Sequence, residues 1–154
     1  AGFESSDWFF NIVKEVDYDI AGISYYPWWH GKSLEDLQNQ LSNLSINFNK
    51  EILIAETSYP FTLGWNDWTN NNVGLEEHLI LPQYPASPQG QKDFMRDVKN
   101  LILEVNNGIG FCYWGADLIA WDGETSTNGS TWENQAVFDF DNKELPVLKE
   151  FNLD

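Results

Sequence analysis

The chain has 154 residues, which suits one domain with a real hydrophobic core. Its formal charge is −16, and Arg96 and seven lysines are scattered along it. That excludes a nucleic-acid partner, which needs clustered cations, and no run of about 20 apolar residues offers a membrane span.

Eight Trp, six Tyr and ten Phe are present. Many of the tryptophans lie beside Gly, Asn, Asp or Pro, in segments that read as loops. Exposed aromatic faces next to polar groups suit sugar rings, and they also suit protein contacts.

In chain order, Ser6 is placed to cap a first helix whose Phe9, Ile12, Val13 and Val16 share one face. A β-like run follows, Asp19-Ile-Ala-Gly-Ile-Ser-Tyr-Tyr26, ended by Pro27. Ser33 and Asp36 resemble a capping box ahead of a Leu34, Leu37, Leu41 and Leu44 stripe. The run Glu51-Ile-Leu-Ile-Ala-Glu56 is a second strand. A long polar segment then runs from Phe61 to Tyr84, and a loop of that length is usually functional or mobile. Ser87-Pro88 opens another helix, with Phe94, Val98, Leu101, Ile102 and Val105 on its buried face.

Asn107-Gly108 stops that helix, and Ile109 to Trp114 is a third strand carrying Cys112, read as a buried thiol. Another long loop, Gly115 to Glu133, leads to Ala136-Val-Phe-Asp-Phe-Asp141. A last short helix spans 146–151. The order α-β-α-β-α-β-α implies α/β architecture with a parallel sheet, assigned as one continuous unit. Both long loops follow strand carboxyl ends, where α/β folds place their active sites. No charged-then-apolar leader opens the chain.

Glu56 closes an apolar run, and an isolated charge in such a place is costly unless paired, protonated or functional. The other strand ends are Ser24-Tyr25-Tyr26 and Tyr113-Trp114. A carboxylate ringed by Tyr and Trp suits glycoside hydrolysis: one carboxylate attacks the anomeric carbon and a second acid protonates the leaving oxygen. His30, His78 and Cys112 lack the spacing of a zinc site. No metal is assigned.

Five motifs, in order from about residue 19 to the end, resemble glycoside hydrolase family 53, the endo-β-1,4-galactanases. They are Gly22-Ile-Ser-Tyr-Tyr-Pro-Trp-Trp-His-Gly31, Ile54-Ala-Glu-Thr-Ser-Tyr-Pro60, and Tyr84-Pro-Ala-Ser-Pro-Gln-Gly-Gln91 with Phe94-Met-Arg-Asp97. Phe111-Cys-Tyr-Trp114 and Trp132-Glu-Asn-Gln-Ala-Val-Phe-Asp-Phe140 complete the set. The resemblance implies a (β/α)8 TIM barrel with retaining chemistry, of which residues 1–154 would supply about strands six to eight with their helices.

Carried over, Glu56 would be the nucleophile ending the seventh strand. Tyr25 or Tyr26 would support it, and alternation along the strand lets only one of them face the pocket. Trp114 would lie beneath the sugar at the cleavage point and Trp132 would stack on a neighbouring unit. Trp28 would contact substrate, and His30, following the Trp28-Trp29 pair, would line the pocket or lie on the surface. Asn134 would bond a sugar hydroxyl or serve a turn. After Trp114 the family commonly has Glu-Pro where this chain has Gly115-Ala116-Asp117, so its last loop is remodelled.

The family's acid/base is a Glu after the fourth strand, within an Asn-Glu pair, and no such strand exists here. A galactan-type polysaccharide and the N-terminal half of the barrel are therefore the expected partners. The chain alone should be inactive, with unpaired edges, stable only with the other half or through self-association. Some members hold calcium between the last two long loops, where Asn66, Asp67, Asp117, Asp122 and Glu124 lie. Nothing is spaced like an EF-hand, so solvated carboxylates are the simpler reading and no cofactor is required. The resemblance implies an extracellular or periplasmic, cell-envelope location. A non-catalytic carbohydrate-binding protein and a related endo-glycanase are the alternatives.

Overall fold

Three parallel strands, in the order β1-β2-β3, form the sheet: β1 is Ile20–Ser24, β2 is Glu51–Thr57 and β3 is Gly108–Tyr113. Parallel neighbours need helical crossovers, and the helices are α1 (Ser6–Ile12), α2 (Pro27–His30), α3 (Leu34–Phe48) and α4 (Pro88–Glu104). This computed structural model describes residues 2–152.

The sequence signals act locally as expected in most places. The Asp36 amide donates to Ser33 Oγ at 3.0 Å, so Ser33 caps α3. Leu37, Leu41 and Leu44 are buried, and α3 packs on β2. Asn49 ends α3 in the left-handed region, φ 48°, its amide donating to Ser45 O. The Gly90 amide donates to Ser87 Oγ at 2.9 Å and opens α4. Asn107, φ 60°, stops it, and a Cβ on Gly108 would collide with the Ile102 carbonyl.

The chain divides into two compact units rather than one. The first comprises residues 1–57 and 97–113, and the second comprises 58–96 and 114–154. The division has a sequence cause: the long segments after β2 and β3 are rich enough in Tyr, Phe and buried amides to build a core of their own.

In the first unit Ala21, Ile23, Ile52 and Ile54 are fully buried at alternate strand positions. Phe10, not the Phe9, Ile12, Val13 and Val16 stripe, is the buried anchor of α1, packing on Tyr18 and Phe48. The expected first helix is shorter because the chain turns after Val13, whose carbonyl accepts from Val16 N. Ser6 lies inside α1, its hydroxyl donating to Phe3 O, and so does not cap it. Phe9, Phe10, Val13, Val16, Tyr18, Ile20 and Gly22 line an apolar groove of about 310 Å³. Cys112 is exposed on β3. The apolar composition around it misleads, because β3 ends the sheet and has no buried residue.

The second unit is centred on Gln91, which is fully buried. Its Nε2 donates to Tyr59 O at 3.0 Å and to Ala136 O at 2.9 Å. Tyr59 stacks on Phe94 with centroids 4.3 Å apart. Its hydroxyl donates to Tyr84 O at 2.7 Å and accepts from Ile80 N at 3.0 Å. Burial pushes that phenol up to about 12. These bonds anchor both ends of the segment from Phe61 to Tyr84, the one expected to be functional or mobile. Residues 136–141 form no strand, only a bridge from Phe138 to Glu144. The final helix, Pro146–Phe151, is of the tighter 3-10 type.

Candidate functional site

Glu56 is the penultimate residue of β2, half-buried at the carboxyl end of the central strand. A register shift between Ile23 and Ser24 pairs Ser24 with Glu56. Beyond it the Tyr25 amide donates to Glu56 O at 2.8 Å. This ties the β1 exit to the main chain of the acid itself.

The two neighbouring tyrosines then part company. Tyr26 donates its hydroxyl to Glu56 Oε2 at 3.0 Å. Tyr25 is fully buried and donates to Gly31 O at 2.9 Å. Tyr25 is therefore a core residue, and of the two neighbours it is Tyr26 that reaches Glu56. The Tyr25 ring fills space against Phe3, with centroids 5.9 Å apart, and its hydroxyl is spent on the main chain. Burial raises Tyr26 well above the usual tyrosine range, and the hydrogen bond and charge of Glu56 add to the effect, as does nearby Tyr113. Tyr26 thus remains a donor throughout the neutral range.

One turn of helix organises the surroundings of Tyr26. Pro27 opens α2, and Tyr26 O accepts from Trp29 N at 3.1 Å and from His30 N at 2.9 Å. The Tyr26 amide donates to His30 Nδ1 at 2.9 Å. An accepting Nδ1 means a neutral ring with its proton on Nε2. Burial lowers the His30 pKa, against the opposing charges of Glu4 and Glu56. The unfolded chain therefore takes up this proton first. Stability is lost as pH falls from about 6.5 toward the lower native value.

Trp29, which was not among the expected substrate contacts, is 45% exposed. It meets the Tyr26 ring edge-on at 5.1 Å and stacks on Trp28 at 4.2 Å. Its i+3 spacing from Tyr26, across a Pro-initiated turn, was the available signal.

The other predicted residues belong to the second unit. Trp114 is 43% exposed and meets Trp132 edge-to-face at 6.2 Å. Trp132 also lines a groove of about 440 Å³ with Trp121, Asp117 and Ser130. Ser130 donates to Leu118 O at 2.6 Å and fixes the remodelled loop. Asn134 is fully buried, donating to Thr62 O at 2.9 Å and Val73 O at 2.7 Å. Its amide nitrogen clamps two stretches of chain, the structural duty named as one of its two expected roles.

Glu133 is buried as well, accepting from Asn66 N at 2.7 Å. Burial raises its pKa, and the charge of Asp67 adds to this. The native unit therefore favours the protonated acid, and stability falls as pH rises from about 4.5 through the native value.

Comparison with known proteins matches residues 3–151 to the model of Glycosyl hydrolase family 53. The chain belongs to this family. It is 35% identical over 157 residues to an arabinogalactan endo-beta-1,4-galactanase of Cellvibrio japonicus, with 98% of this chain and 41% of the relative covered. An endo-beta-1,4-galactanase of Bacillus subtilis is 32% identical over 170 residues, covering 90% and 39%. The GH53 catalytic domain of Ignisphaera aggregans superposes with a TM-score of 0.86 at 36% identity, covering 99% of this chain and 44% of that one.

Within family 53, then, this chain spans about two fifths of the length of the curated relatives it matches. Its α/β architecture is that of the C-terminal part of the barrel. Asp67 accepts from Thr69 N, Asp122 accepts from Ser126 Oγ, and Asp117 and Glu124 are exposed. Among the described residues no group of three or more His, Cys, Asp or Glu side chains is placed to hold a metal ion.

Proposed function

We propose that this chain is the nucleophile-bearing, C-terminal portion of a retaining endo-β-1,4-galactanase. The observation that carries the reading is the hydrogen bond from Tyr26 to Glu56 Oε2, at the carboxyl end of the central parallel strand. Family membership supplies the class of reaction.

In this reading Glu56 attacks the anomeric carbon of a β-1,4-linked galactose and forms a covalent glycosyl-enzyme. Tyr26 holds Oε2 and leaves Oε1 to attack. The general acid, supplied by the N-terminal part of the barrel, protonates the leaving oxygen. It then takes a proton from the water that releases the sugar, so the β configuration is kept. The two carboxyls of such a pair lie about 5–5.5 Å apart, and with one of them this chain by itself would not turn over. Trp114 and Trp132 would stack on the sugar rings, since indole faces match the axial C–H surface of galactose. The polymer it would cut is a plant cell-wall galactan, which places the enzyme outside the cell or in the cell envelope.

The test is hydrolysis by the complete barrel, this chain joined to its N-terminal portion. Galactan is expected to be cleaved at least about tenfold faster than xylan or mannan. Proton NMR of the first products should show the β-anomer. Preference for xylan or mannan would assign a related endo-glycanase, and binding without cleavage would assign a carbohydrate-binding protein.

A further inference from the structure

The hydrogen bonds between residues 26 and 30 are reciprocal. Tyr26 O accepts from His30 N at 2.9 Å, and His30 Nδ1 accepts from Tyr26 N at 2.9 Å. A four-residue helix has little stability of its own, and this side-chain bond closes it into a clamp. Tyr26 stands at the helix entrance with φ −133° and ψ 122°. The hydroxyl that touches Glu56 lies at the far end of the ring, so a small tilt of the Tyr26 main chain displaces it.

We propose that His30 is a positioning residue of the reaction: Nδ1 fixes the Tyr26 main chain and, through the Tyr26 hydroxyl, sets the carboxylate of Glu56. The proposal rests on the reading of Glu56 as nucleophile. His30 packs against the rings of Tyr25 and Tyr26, with centroids 6.4 and 6.0 Å away. The charged groups acting on it are Glu4, from the Phe3–Ser5 turn, and Glu56, from β2, while Tyr113 acts on Tyr26. Both carboxylates favour a proton on the ring and burial opposes it, with burial the larger effect. Protonating Nδ1 sets two N–H groups against each other and opens the clamp.

The experiment is a pair of amide substitutions in the complete barrel. His30→Asn puts a carbonyl oxygen where Nδ1 was, and His30→Gln puts one where Nε2 was. Both are uncharged and polar, so a generic loss of the imidazole affects them alike. His30→Asn is expected to keep kcat on galactan within about threefold of the parent. His30→Gln should lose about tenfold or more in kcat with KM changed less than about twofold. The acid limb of kcat/KM, below the ordinary histidine range, should flatten in His30→Asn, because its oxygen does not titrate. Equal kcat in the two variants, or an unaltered acid limb in His30→Asn, overturns the proposal. Glu56→Gln serves as the separate control: full turnover there would remove the nucleophile reading itself, whatever the His30 pair shows.

Discussion

Glu56→Gln in the complete barrel is expected to lower kcat on galactan by about four orders of magnitude, roughly 5–6 kcal/mol of transition-state stabilisation. An amide oxygen is a poor nucleophile and cannot form the glycosyl ester, so the covalent route closes. Ground-state binding should survive, since glutamine has almost the same shape and can still accept from the Tyr26 hydroxyl. Isothermal titration with a galacto-oligosaccharide is expected to give a Kd within about threefold of the parent. A variant that keeps even a tenth of the turnover would take Glu56 out of the mechanism.

The second large effect concerns stability. Gln91→Leu is nearly volume-neutral yet removes the Nε2 donor shared by Tyr59 O and Ala136 O. Two buried carbonyls would then lack that partner, at about 1–3 kcal/mol each, so the loss should total about 2–6 kcal/mol. Urea unfolding of the complete barrel should show a midpoint lowered by about 1–2 M. A midpoint unchanged from the parent would show that those carbonyls find other partners without cost.

Where local physics decides the outcome, the amino-acid pattern was readable. Ser33 ahead of the leucine stripe, Ser87-Pro88, and Asn107-Gly108 each set a helix end through short-range hydrogen bonds or steric limits. The apolar runs that end at Tyr26 and at Glu56 marked the strands. Residues whose role depends on distant partners were not readable. Tyr25 and Tyr26 are chemically identical, and only the bulge beside Ser24 and the position of Gly31 tell the core phenol from the one on Glu56.

Gln91 and Asn134 look like surface amides. Their burial follows from carbonyls 32 to 72 positions away in the chain. Phe10 replaced the expected apolar stripe of α1 because the helix stops at Ile12, a boundary no periodicity marks. The fold class was thus legible as pattern, while the arrangement of the two tyrosines around Glu56 came from register.

The thiol of Cys112 is the chain's single cysteine, and it is open to solvent on the strand that ends the sheet. That makes β3 a natural reporter. A maleimide dye attached there needs no engineered residue, and its labelling rate senses whatever pairs with or packs over that strand. Assembly of a reconstituted split barrel could then be followed in real time, without any sugar present.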